Sequence, residues 1–73
     1  MMKIFVYYIY INKDGEQINS IEVFTDKLSA LRFMKMVDGK KFHGYVTGWK
    51  CDDAYDNEWL NQRHSLHHPL IGG

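Results

Sequence analysis

The feature that most constrains the fold is an almost unbroken apolar run near the start of the chain. Residues 4–11 read Ile-Phe-Val-Tyr-Tyr-Ile-Tyr-Ile, and every one of them is β-branched or aromatic. Residues of this kind favour strands over helices. Successive side chains of a strand point to opposite faces, so the run predicts a first strand, about Lys3 to Asn12, whose two apolar faces both need cover.

A hairpin is predicted directly after this run. Asp14-Gly15 is typical of a two-residue type I′ turn, because that turn needs a positive φ at both central positions. The second strand is then Gln17 to Phe24. With this loop the register places Tyr8 opposite Ile21, and apolar residues face apolar residues along most of the hairpin.

The middle of the sequence predicts an amphipathic helix. Thr25-Asp26 offers an N-cap, and the helical pattern continues to residue 37 or 38. Leu28 and Met36 fall off the apolar stripe and are expected to be exposed. The stripe itself consists of residues at helical spacing: Ala30, Leu31, Phe33, Met34 and Val37.

A third strand and a short helix complete the predicted elements. Phe42 to Lys50 has the residues of a strand, and Asp52-Asp53 caps a helix of about Ala54 to Arg63. Simple alternation along the third strand predicts one face that carries several larger side chains, namely His43, Tyr45, Thr47 and Trp49. The apolar side of the final helix is expected to hold Tyr55, Trp59 and Leu60.

The element order β-β-α-β-α predicts an α+β fold. A right-handed crossover through the first helix places the third strand beside the first, which gives a three-stranded antiparallel sheet of order 2-1-3. The first helix would cover one sheet face, and only the short C-terminal helix is left for the other. We expect a single domain over residues 1–65 and a flexible C-terminal tail over 66–73, where Pro69 and a terminal Gly-Gly stand.

Composition narrows the function classes. The 73 residues carry a formal net charge of zero, which is not the positive bias of a general nucleic-acid or membrane-surface binder. One cysteine, Cys51, permits no internal disulfide, and the apolar run is too short to span a membrane. We therefore expect a cytoplasmic protein. Lys, Ile, Asn and Tyr, which have AT-rich codons, are frequent and favour an origin in a phage or mobile element.

Catalytic and metal-binding patterns are weak. The sequence contains no nucleophile elbow, phosphate loop or dinucleotide fingerprint. His64, His67 and His68 stand close together near Cys51, but the paired spacing of a structural zinc site is absent. We expect no cofactor, no metal site and no catalysis; an oligomeric enzyme with a site between subunits is the remaining catalytic alternative.

Aromatic residues are the strongest unusual feature. Five Tyr, four Phe and two Trp exceed what one short helix can shelter, and exposed Tyr and Trp dominate binding hot spots. The leading hypothesis is a non-catalytic protein-binding module, a phage or mobile-element regulator or inhibitor that docks on a host protein through aromatic surface and edge strands. Free edge strands also allow a homodimer. The candidate binding residues are Tyr10, Tyr45, Trp49, Tyr55 and Trp59.

The alternative hypothesis is a small RNA or single-stranded nucleic-acid binder that uses the same aromatic sheet face. Lys40-Lys41, Lys50 and Arg63 could flank that face, as cations flank the base-stacking sheets of RNA-binding domains. The RNP-type pattern of such domains is absent, and the neighbouring acidic residues after Cys51 would repel phosphate. Nucleic acid is therefore the less favoured partner.

Overall fold

A computed structural model of the chain describes residues 3–39 and 41–64. Its elements are β1 (Ile4–Ile11), β2 (Gln17–Phe24), α1 (Lys27–Val37), β3 (Gly44–Cys51) and α2 (Ala54–Arg63). The predicted α+β fold and its β-β-α-β-α order are confirmed, and the strand ends differ from the prediction by two residues or fewer. The predicted tail, together with His67 and His68, lies outside the described residues.

The sheet has the predicted order β2-β1-β3 with antiparallel neighbours. The most apolar strand is therefore central, where both of its edges are hydrogen-bonded. β2 and β3 are the edge strands.

The predicted hairpin register is wrong by one residue. Ile21 pairs with Tyr7 rather than with Tyr8, and the loop has three residues instead of two. The Asn12 N–H donates to the Glu16 carbonyl oxygen at 2.9 Å, and of the three loop residues only Gly15 has a positive φ, at 81°. A three-residue loop whose last residue is left-handed closes a hairpin without the second positive φ that a type I′ turn requires.

A β-bulge interrupts the pairing of β1 with β3. Tyr7 lies opposite Gly48 and Tyr8 opposite Val46, so Thr47 has no partner across the ladder. The extra residue reverses the alternation of β3 at this point. The prediction that Tyr45 and Trp49 share one face of the sheet is therefore wrong, because simple alternation cannot anticipate an inserted residue.

Both helices pack on the same side of the sheet. α2 contacts α1 and β3, and its Leu60 is fully buried with Met34 of α1. The expectation that α2 would cover the second face of the sheet is therefore wrong. The buried core lies entirely on the helix side and consists of Ile4, Val6, Tyr8, Ala30, Met34, Val37, Val46 and Leu60.

The helix caps follow the sequence signals. Asp26 caps α1, and its carboxylate accepts hydrogen bonds from the N–H and the Oγ–H of Ser29, both at 2.9 Å. Asp53 caps α2, and its Oδ1 accepts the backbone N–H groups of Tyr55 and Asp56 at 2.9 and 3.0 Å. Leu28 and Met36 are exposed, as the pattern of the helical stripe predicted.

Asp38 connects three elements at the end of α1. Its Oδ1 accepts the N–H of Val46 in β3 at 2.8 Å, and its Oδ2 lies 2.6 Å from Nε2 of His64 after α2. The His64 ring is buried, packs edge-on against Trp49, and finds no hydrogen-bond partner for Nδ1 among residues 3–39 and 41–64. This brace holds both helix ends against the sheet.

Candidate functional site: the open face of the sheet

The candidate site is the sheet face that lies opposite the helices. Ladder partners share a face, so the register assigns its members directly. We call it the open face, and it comprises Phe5, Tyr7, Ile9, Ile11, Gln17, Asn19, Ile21, Val23, Tyr45, Gly48 and Lys50. In the part of the chain that the structure describes, no helix packs on it.

Large apolar side chains on this face are accessible to solvent. Tyr7 is 38% exposed, Ile11 44%, Tyr45 45%, Ile21 46% and Val23 49%. Residues of these types usually lie inside a folded chain, and scattered single exceptions would be ordinary. Here they are neighbours on one rigid surface, and such contiguous patches are often functional.

The layout of the face follows from the ladder. Ile21 and Tyr7 share the middle row with Gly48, which contributes no side chain. Polar residues are confined to two diagonal corners, with Lys50 at one and Gln17 with the neighbouring amide of Asn19 at the other. An apolar band therefore crosses the face between these corners.

The electrostatics of the open face are unusually simple. Lys50 is the only charged residue among its strand positions. The acidic residue of β2, Glu22, points to the helix side, where its carboxylate accepts a hydrogen bond from the Tyr8 hydroxyl at 3.3 Å. At its strand positions the face thus offers hydrophobic contact and one peripheral cation, but no carboxylate or imidazole that could act as a general acid or base.

The predicted site residues do not come together. Of the five, only Tyr45 belongs to the open face. Tyr10 and Trp49 lie on the helix side, partly buried against the core. Tyr10 is part of a ring cluster there, with the Phe42 centroid 6.0 Å from its own.

The aromatic residues of α2 have different environments. Trp59 is half-buried, with Lys27 Nζ 4.9 Å from its ring centroid and the Arg63 guanidinium carbon 4.3 Å from it. Lys27 also pairs with Asp56 at 3.1 Å, so this cation of α1 holds α2 against α1, whereas the Arg63 contact lies within α2. Tyr55, predicted on the apolar side of this helix, is instead 88% exposed near the start of α2.

Sequence reasoning missed most of the open face because of the register. In the predicted register, Ile21 and Val23 lie opposite Tyr8 and Val6, which the structure places in the core. The one-residue shift moves them to the opposite face. The signal that could have found the site was present in β1, whose two apolar faces cannot both be covered by a single layer of helices.

The described residues offer few other candidate sites for metal binding, ligand binding or catalysis. Within residues 3–39 and 41–64 there is no group of three His, Cys, Asp or Glu side chains placed to hold a metal ion, and no cavity that would enclose a small molecule. Cys51 is half-buried as a free thiol. Neither of the two described helices has the length and apolar content of a membrane span.

Comparisons with protein-family models, curated proteins and solved structures found no match for this chain.

Proposed function

We propose that this chain is a non-catalytic protein-binding module whose binding surface is the open face. The single observation that carries the proposal is the contiguous exposure of Tyr7, Ile21, Val23 and their neighbours on a hydrogen-bonded sheet. Burial of apolar area is the main driving force of protein association. Because the strands are already ordered, binding costs little additional backbone entropy.

The open face favours a protein over a nucleic acid. A nucleic-acid groove needs several cations to neutralise phosphates, and the strands supply only Lys50 here. The nearby cation Arg63 lies on the helix side over the Trp59 ring. The aromatic residues on the face, such as Tyr7, would therefore stack bases without the electrostatic attraction that such sites use.

A module of this kind acts by covering a surface of its partner. Regulation or inhibition of a host protein is the role we propose, and the phage or mobile-element origin stays a prediction from composition. Edge strands β2 and β3 offer a second mode of contact, since their outer backbone groups can pair with a strand of a partner. The open face remains the larger apolar surface.

Site-specific photo-crosslinking in cells that express the chain tests the proposal. A benzophenone amino acid replaces Ile21 on the open face in one variant and Leu28 on α1 in the matched control, because the two residues are almost equally exposed. We expect discrete protein adducts from position 21 and none of the same mass from position 28. Identical patterns, no adduct, or an adduct removed by nuclease would each contradict the proposal.

A further inference from the structure

We propose that the partner of the open face is a second copy of this chain, so that two sheets pack face to face in a symmetric dimer. This inference rests on the proposed function and names the partner of the open face. A host protein would then be contacted through the edge strands β2 and β3, which face-to-face packing leaves uncovered. Three properties of the open face carry the inference: its charge, its area and its shape.

The charge of the open face specifies the kind of surface it can accept. Only Lys50 is charged, and it lies at a corner, so a complementary surface must be apolar and nearly uncharged through its centre. A charged partner surface would lose its hydration without gaining an opposite charge. The open face of another copy has the required character, because Tyr7, Ile21 and Ile9 occupy its middle.

The corner positions also favour one orientation. The two-fold axis of this dimer would lie between the two sheets, parallel to their planes and perpendicular to the strands, directly over the Tyr7 row. The strands of the two sheets then run in opposite directions. Lys50 lies two residues from the Tyr7 row along the ladder, so the backbone positions of the two Lys50 residues would be about 14 Å apart along the strand direction. Both charges then remain at the rim, where water can solvate them.

The area of the face fits a weak dimer. Three strands of eight residues cover roughly 27 by 14 Å, or about 380 Å². Two copies would bury about 760 Å², which is below the roughly 1,200 Å² of a standard stable interface and in the range of weak, transient association. The dimer should therefore form reversibly and depend on concentration.

The shape of the molecule permits this packing. Both helices lie on the far side of the sheet, so none of the described elements obstructs the approach of another flat surface. Pleated sheets pack about 10 Å apart with their strands within roughly 30° of one another. The resulting dimer is a four-layer helix-sheet-sheet-helix sandwich, and the open face of each copy is buried between the two sheets.

Sedimentation equilibrium of the purified full chain tests the dimer. Over about 10 μM to about 1 mM, the apparent mass of the wild type is expected to rise from 8.7 kDa toward twice that value. Ile21→Lys should raise the dissociation constant at least tenfold, because a lysine would be buried without a partner. Leu28→Lys, at an equally exposed position on α1, should leave it unchanged.

Two results would overturn the inference. One is a wild type that stays monomeric throughout the range. The other is a dimer that survives Ile21→Lys and Val23→Lys, which would assign association to the strand edges. Circular dichroism verifies that each variant is folded. A monomeric wild type that still forms open-face adducts with another protein would reject the dimer and leave the proposed function standing.

Discussion

Asp38 shows how much of this small structure depends on a single side chain. Its two carboxylate oxygens serve the backbone N–H of Val46 and the ring of His64, and both Val46 and His64 are buried. Without the carboxylate, two buried polar groups at two different elements would lose their partner. A buried donor left unpaired costs more than the hydrogen bond itself contributes.

We therefore expect Asp38→Ala to lower the free energy of unfolding by about 1–3 kcal/mol. Urea unfolding measures the change. Asp14→Ala is the control, since Asp14 is an exposed acid in the hairpin loop and its removal should change stability by less than about 0.5 kcal/mol. Equal effects of the two substitutions would show that the brace contributes nothing specific.

The close approach of β1 requires a glycine at position 44. A Cβ at this position would overlap the carbonyl oxygen of Ile9 and lie 3.0 Å from Tyr10 Cα, and both are backbone atoms that cannot rotate away. Gly44→Ala should destabilise the fold by about 1–3 kcal/mol. Thermal unfolding measures this loss, with the exposed bulge substitution Thr47→Ala as its comparison; a Gly44→Ala variant as stable as Thr47→Ala would contradict the close contact.

Asp26 gives a prediction about acid stability. The backbone N–H of Ser29, followed by its hydroxyl, donates to this carboxylate and holds the pKa of Asp26 below its ordinary value. A depressed pKa in the folded state means that the ionised cap stabilises the fold above the unfolded-state pKa. That contribution is lost as the pH falls through the folded-state pKa.

Asp26→Asn isolates this effect, because asparagine also caps helices but does not titrate. The stability advantage of the wild type over Asp26→Asn should shrink as the pH falls below the ordinary range of an aspartate. Urea unfolding at a series of acidic pH values measures the difference. A difference that stays constant across this range would mean that the cap charge has no role.

At the scale of elements, the β1–β2 hairpin sets which side chains reach the open face. Asn12 organises its loop, since its Oδ1 accepts the N–H groups of Asp14 and Glu16 at 2.9 Å. Asn12→Ala should lower the free energy of unfolding by about 1 kcal/mol and weaken the protection of the Glu16 amide against hydrogen exchange. Asn12→Asp keeps the side-chain acceptor and should have a smaller effect on both. Hydrogen exchange and urea unfolding measure both variants; unchanged protection in Asn12→Ala would exclude this role.

The sequence predicts the elements of this chain far better than their faces. The apolar run of β1, the Asp26 cap and the helical stripe are local signals, and each produced the expected element. The faces of β2 and β3 depend on non-local pairing, and the three-residue loop and the Thr47 bulge each shift the alternation by one residue. For this reason Ile21 was missed, and Trp49 was assigned to the wrong face.

At the scale of the whole molecule, the chain is a two-layer structure with extents of 38 by 31 by 16 Å. Its core is one-sided, and its other broad side is apolar. A sheet in this situation normally buries its second face against a further layer. The proposed dimer supplies that layer without any additional residues.

Association through the open face should depend only weakly on salt. With Lys50 as the single charged residue that the strands place on the open face, raising NaCl from about 0.05 to about 0.5 M should change the dissociation constant by less than about threefold. Titration calorimetry of dimer dissociation should also give the heat-capacity change of apolar burial. A large fall in affinity with salt would instead indicate an electrostatic interface.

The Thr47 bulge has a genetic consequence. Before it, the odd-numbered Tyr45 points outward, and after it the even-numbered Gly48 and Lys50 do. Because Tyr8 lies opposite Val46 and Tyr7 opposite Gly48, the ladder is regular once Thr47 is set aside. Deletion of the single codon for Thr47 would therefore leave every other side chain of β3 on its present face, whereas a residue inserted or deleted elsewhere within β3 would turn one half of the strand inside out, so we expect natural variants of β3 to tolerate a change of length only at this position.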